Sequence, residues 1–248
     1  MNFCTFSHIQ HQDTTWVAGV EQGKEGNIFF YNIATATKFV VDVSSISHTD
    51  IGTREDAPMC LKLVPVNDNT DALGLLVGYE STKLQLYSVN LSGDKHAAVL
   101  KCSQKTAHSE SIMSIDYDSD EKAIYTCSAD NKVCRYTIDA AGFHAAQEPG
   151  ILRHGGSAEI RFFSSPKLVA VAGWDYAVHL LDSDLKLRGE ARFHRASVTS
   201  VDMSTLARGN AESISNEVAR ARWNGRAQWL VVASQDHRIS LWNVQDLL

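Results

Sequence analysis

The chain has no run of lysine and arginine. Its 23 basic and 29 acidic residues leave a formal charge of −6 over 248 residues, so no nucleic-acid partner is expected. No apolar stretch approaches the roughly 20 residues that a spanning helix needs, so no membrane partner is expected either. Met1–Gln12 has neither a basic segment nor an apolar one of the secretory type. The five cysteines, Cys4, Cys60, Cys102, Cys127 and Cys134, are odd in number and form no CxxC pair. They read as reduced thiols in strands of an intracellular protein, cytoplasmic and/or nuclear.

The signatures of chemistry are missing too. No H-x-x-x-H or HExxH places two histidines on one helix face, so no metal site is expected. G-x-S-x-G and a phosphate-binding P-loop are absent. The expectation is no cofactor, no small-molecule substrate and no enzyme.

What is present is repetition. Trp229–Val244 reads as an apolar strand, a tight turn and an alternating strand. The same pattern returns at Trp16–Ile33, Leu75–Val89, Ile124–Ile138 and Leu168–Ser183. A large apolar residue closes the second strand of each, at Tyr31, Tyr87, Tyr136, Leu181 and Trp242. The shorter spacings, roughly 45 to 50 residues, suit a four-stranded propeller blade.

Two further markers share this phase. Asp130, Asp175 and Asp236 each stand six residues before the closing position, while Glu80 stands seven before, implying a turn one residue longer. A histidine precedes the first strand of each later repeat: His48, His108, His154 and His194. Recurrence at one place in successive repeats argues for turn capping rather than a converging catalytic pair of carboxylates.

Histidine, strand hydroxyl, turn aspartate and closing aromatic together resemble the WD-repeat family. The resemblance implies an all-β WD-repeat β-propeller and a hydrogen-bonded network inside each blade. The best match is His194, Ser234, Asp236 and Trp242. The next is His108, Ser128 and Asp130, and His154 with Asp175 follows. Blades are expected at about 1–43, 58–102, 108–150, 151–193 and 194–248. An insertion spans 204–229, with helix character over 211–223. With no fourth strand after Val244, the expectation is about five blades of a seven-bladed ring, an upstream portion being absent.

Ala57–Leu63, Gly78-Tyr79-Glu80, His108–Asp118, Ala172–Asp175 and Asp236–Trp242 narrow the likeness. They resemble the guanine nucleotide-binding protein beta-subunit-like protein 1 family, whose fungal counterpart is ASTRA-associated protein 1. That resemblance implies a non-catalytic scaffold for protein–protein interactions. It also implies a role in the assembly or stability of phosphatidylinositol-3-kinase-related kinases, with kinase-maturation adaptor and chaperone components as partners. A substrate-recognition propeller of a ubiquitin ligase is the alternative, and an enzyme using the propeller funnel is the other. Trp174, Tyr176, His237 and Arg238 sit in the turns beside Asp175 and Asp236, and are the candidates for partner contact.

Overall fold

Strict alternation is the first thing the structure uses. In β3 (Asn27–Asn32) every second residue is buried, and β4 (Lys38–Asp42) does the same in the opposite sense of polarity. Side chains of a strand point alternately to its two faces, so one face packs and the other meets solvent. The computed structural model describes residues 6–21, 23–24, 26–43, 56–66, 71–92, 96–139, 142–205 and 228–248.

These residues form five antiparallel sheets, each a meander in chain order. Sheet 1 adds β1 (Ser7–His11) and β2 (Thr14–Val20) to β3 and β4. Sheet 2 runs β5 (Pro58–Pro65), β6 (Ala72–Tyr79), β7 (Lys83–Asn90) and β8 (Ala98–Lys105). Sheet 3 runs β9 (Ile112–Asp118), β10 (Ala123–Ser128), β11 (Lys132–Asp139), then β12 (Gly142–Ala145) and β13 (Gly150–Ile151). Sheet 4 runs β14 (Ser157–Ser164), β15 (Lys167–Gly173), β16 (Ala177–Asp182) and β17 (Leu187–Arg192). Sheet 5 has β18 (Val198–Thr205), β19 (Gln228–Ser234) and β20 (Ile239–Asn243), followed by a 3-10 turn at Val244–Asp246.

The second strands β6 and β10 are buried along their whole length. They are covered on both faces, and β6 accordingly reads as a continuous apolar run rather than alternation, while β10 also carries Thr126 and Ser128. Sheet 3 departs from expectation at its outer edge. The loop 139–150 contains that edge in two pieces, β12 against the end of β11 and β13 against its start. Among the described residues the first strand of sheet 1 runs from Ser7 to His11. His48, the core of the insertion (206–227) and its expected helix lie outside the described residues.

One regularity is invisible in the sequence. Sheets 2, 3, 4 and 5 each carry a register shift between first and second strand beside the turn: at Pro58/Cys60, Cys127/Ser128, Ser157/Glu159 and Val198/Ser200. Such a bulge bends the strand and sharpens its twist. It lies where the lead-in loop of each sheet crosses the turn between its second and third strands.

The chain divides into two compact units, 1–153 and 154–248. In the first, β1 and β2 pack on β5, β5 and β6 on β9, and β8 on β12. Trp16, Phe30 and Phe39 meet Leu63, Leu75 and Tyr87 in one cluster, and Cys60, Leu84, Ile112, Ile124 and Tyr136 form another. Each such fully buried side chain contributes about 1.5–3 kcal/mol, so apolar packing between sheets dominates the stability. In the second unit β14, β15 and β16 pack on β18, around Val178, Leu180, Val198 and Leu230. No helix among the described residues is long and apolar enough to cross a membrane.

Candidate functional site

Several buried polar groups, His108, Ser128, Asp130 and His194 among them, gather at the turns joining second to third strands. In sheet 5, His194 Nδ1 lies 3.2 Å from both carboxylate oxygens of Asp236. A carboxylate accepts, so Nδ1 carries the hydrogen and Nε2 is left as the acceptor. Ser240 Oγ, 2.9 Å from Nε2, donates to it and accepts from the Trp242 indole N–H at 2.9 Å. The result is one directed chain: Trp242 to Ser240 to His194 to Asp236. The backbone N–H groups of Arg195 and Arg238 complete the carboxylate's shell. Burial alone would raise the Asp236 pKa, but these donors outweigh it and hold it at about 2.

Sheet 3 builds the equivalent from different parts. His108 Nδ1 faces Asp130 at 3.2 Å, and Nε2 accepts from Thr126 Oγ1 at 2.9 Å. Ser109 and Lys132 donate their backbone N–H to Asp130, each at 2.8 Å. Burial pushes the His108 pKa down, outweighing the pull of Asp130. Burial opposes the Asp130 charge, yet the N–H donors and His108 keep its carboxyl below the ordinary value. Tyr136 stands where sheet 5 has tryptophan, and its hydroxyl accepts from Ala107 N–H at 3.1 Å.

The linking hydroxyl is therefore Ser240 or Thr126, not Ser234 or Ser128 as the sequence suggested. Ser128 and Ser234 do another job. Each accepts the turn aspartate's own N–H, at 3.1 and 3.3 Å. Each also donates to the lead-in loop, Ser128 to Glu110 O and Ser234 to Ala196 O. A signal for Ser240 exists in the sequence: positions four and six after the aspartate share one strand face. Thr126 leaves no such signal, because it comes from the neighbouring strand.

Sheet 4 departs further. His154 is exposed and takes no part. Asp175 meets His179 Nε2 at 3.0 Å instead, and His179 Nδ1 lies 3.0 Å from Glu190. Arg192 closes the set, on Glu190 at 2.8 Å and Asp175 at 3.4 Å. His179 is 2% exposed and stands four residues after the aspartate, the place of Ser240 in sheet 5. The imidazole has moved from the loop to the strand. Burial works against the Asp175 charge, but His179, Arg192 and the Ala177 N–H prevail and lower its pKa. For Glu190 the Arg192 hydrogen bond leads, and the direction is again downward.

Sheet 2 corrects the reading of Glu80. Glu80 is exposed, and Ser81 occupies the aspartate's place, so the turn is no longer than the others. Its left-handed residue is Thr82, as Tyr176 and His237 are in sheets 4 and 5. Ser81 N–H donates to Asp56 at 3.0 Å, so the carboxylate comes from the lead-in loop rather than the turn. Below it Tyr79, Tyr87 and Gln85 hydrogen-bond in series.

What remains outside the networks is the outer surface of the turns. Trp174 is 39% exposed and Tyr176 50%. His237, Arg238 and Arg195 are exposed as well. The Trp174 ring lies over Gly156, where a Cβ would come within 2.0 Å of it, and Gly156 has φ +91°. Only glycine serves at that position. Ser197 ties two turns together: its Oγ donates to Trp174 O at 3.3 Å, and its O accepts from Gln235 N–H at 3.0 Å. Trp174, Tyr176, His237 and Arg238 thus stand on one edge of the second unit.

Tyr176 and His237 carry φ of 71° and 61°. The left-handed region costs an ordinary residue about 1–2 kcal/mol, while glycine adds unfolded-state entropy. Tyr176→Gly is accordingly expected to raise stability by about 0.5–1 kcal/mol in urea unfolding. A loss would mean that the exposed ring makes a stabilising contact.

The WD domain, G-beta repeat family matches residues 100–136 and 186–243. Those stretches hold His108 with Asp130 and His194 with Asp236, the two intact pairs. WD repeats are thus found in two stretches of the chain. Its relatives include guanine nucleotide-binding protein subunit beta-like protein 1 of Mus musculus, 27% identical over 77% of this chain and 50% of that one. ASTRA-associated protein 1 of Verticillium alfalfae is 25% identical over 75% of this chain and 50% of its own length. The crystal structure of Saccharomyces cerevisiae Sqt1 superposes with a TM-score of 0.67 at 12% identity, covering 96% of this chain and 59% of that chain. The fold is the WD-repeat β-propeller type. The chain spans about half the length of the curated relatives it matches. Among the described residues, no group of three or more His, Cys, Asp or Glu is placed to hold a metal ion.

Proposed function

We propose that the chain is a non-catalytic interaction scaffold, and that the turn edge carrying Trp174, Tyr176, His237 and Arg238 is its contact face. One observation carries the reading. The carboxylates at this edge turn inward onto histidines and backbone N–H groups, while aromatic and basic side chains turn outward on turns joined through Ser197. A rigid turn loses little entropy on binding, and tryptophan and tyrosine are enriched at contact hot spots. By likeness to ASTRA-associated protein 1, the scaffold serves the assembly or stability of phosphatidylinositol-3-kinase-related kinases, in the cytoplasm or nucleus. Its partners on this reading are kinase adaptors and chaperone components.

The test is affinity capture of the tagged protein from its own cells, with mass spectrometry of wild type against Trp174→Ala/Tyr176→Ala. Adaptor and chaperone components are expected with the wild type and reduced at least about tenfold with the variant, as loss of hot-spot side chains implies. Ubiquitin-ligase subunits in their place would favour the recognition-module reading. Capture indifferent to the substitutions would remove this face from the proposal.

A further inference from the structure

The first unit has a groove at the opposite ends of its strands from the turns. It lies between sheets 2 and 3, with a volume of about 550 Å³. Val64, Leu76, Leu86, Tyr117, Ile124 and Ile138 form its floor and walls. Gly74 lines it where no side chain fits: a Cβ there would come within 2.6 Å of Val64 and 3.4 Å of Leu86. The size lies within the range of ligand clefts, and the lining is apolar with few polar groups, as such clefts are.

The charges at the rim choose the occupant. Lys101 and Lys122 line the groove and are exposed, and no described side chain pairs with either ammonium. The one carboxylate in the lining, Asp139, is engaged by His144 Nε2 at 2.9 Å. An apolar trough is thus bordered by two uncommitted cations, on a chain whose net charge is −6. We propose that this groove binds a protein segment in which one or two large apolar residues are flanked by aspartate or glutamate. The apolar residues fill the trough, and the acids reach Lys101 and Lys122. Sheets 2 and 3 present this groove at the ends away from their turns, and it shares no residue with the face around Trp174.

The trough also suits a free amphiphile with a carboxylate head, and the experiment separates the two. Displayed dodecapeptides are selected on the 248-residue protein and then counter-selected on Lys101→Glu/Lys122→Glu. Both substitutions are at exposed sites, and circular dichroism verifies that the variant remains folded. The selected peptides, and separately dodecanoate, are then titrated into protein labelled at isoleucine, leucine and valine methyls. The expected result is enrichment of acid-flanked apolar residues and shifts centred on Leu76, Leu86, Ile124 and Ile138. Binding should fall at least about tenfold for the double variant, as loss of two charge-assisted contacts implies. No enrichment, peptides indifferent to the lysines, or methyl shifts with dodecanoate alone would overturn the proposal.

Discussion

Asp130→Ala is expected to lower the stability of the first unit by about 3–4 kcal/mol, seen as a drop of roughly 10 °C in its thermal midpoint. The carboxylate is buried and accepts from His108 and from the N–H groups of Ser109 and Lys132. Alanine leaves those donors facing a hole that no other described group fills. An unsatisfied buried donor costs about 1–3 kcal/mol, well above the value of one exchanged hydrogen bond. Asp130→Asn keeps an acceptor oxygen and should lose markedly less. Equal losses for the two substitutions would show that volume, not hydrogen bonding, decides.

The same pair predicts the response to acid. His108 and Asp130 both have native pKa values below their ordinary ones. The unfolded chain therefore takes up the extra protons, and acid favours it. Stability from the pair is complete above about pH 6.5. The His108 share fades as pH falls from there through its depressed native value, and the Asp130 share is lost below about pH 4. A urea-unfolding series across that range should show both phases in the wild type. Asp130→Ala should lack the lower phase. Stability that rose on acidification would contradict the assignment.

His179→Leu is the second large effect, an expected loss of about 3 kcal/mol in the second unit. Leucine approximates the volume but abandons two carboxylates. Asp175 and Glu190 each sit 3.0 Å from a ring nitrogen, and without the ring they keep Arg192 and, for Asp175, the Ala177 N–H. Arg192 is half exposed, and a solvent-exposed ion pair is worth under about 1 kcal/mol. Arg192→Ala is therefore a small change and His179→Leu a large one, both read by urea unfolding. If the two cost the same, the buried imidazole is not what holds this turn. A compensating change is available, because Asp175→Asn in the His179→Leu background removes one orphaned charge and should recover part of the loss.

The two substitutions mark how far the residues speak for themselves. Asp130, Asp175 and Asp236 fall in phase because every sheet needs the same turn closed, and a short polar side chain capping local N–H groups is a local device that composition and spacing reveal. Trp242 and Tyr136 were legible for a similar reason: period-2 alternation fixes which face each occupies. The choice of hydroxyl was not legible. Ser128 and Ser234 lie two residues before the aspartate and look like network members, yet strand direction turns them to the lead-in loop. Thr126 reaches His108 across strands, and cross-strand partners depend on register, which the bulge in sheet 3 shifts.

By itself the sequence determined the all-β fold, the number of sheets among its repeats, and the place of each turn aspartate. These depend on alternation and turn chemistry, which act over a few residues. Tertiary structure decided which imidazole meets Asp175: His154 lies exposed in the lead-in loop, while β16 carries the buried His179 onto the carboxylate. It decided that Ser81, not Glu80, occupies the turn position in sheet 2, since the carboxylate arrives from Asp56, 25 residues earlier. It also made the groove beside Lys101 and Lys122, whose walls come from six strands that no local pattern brings together.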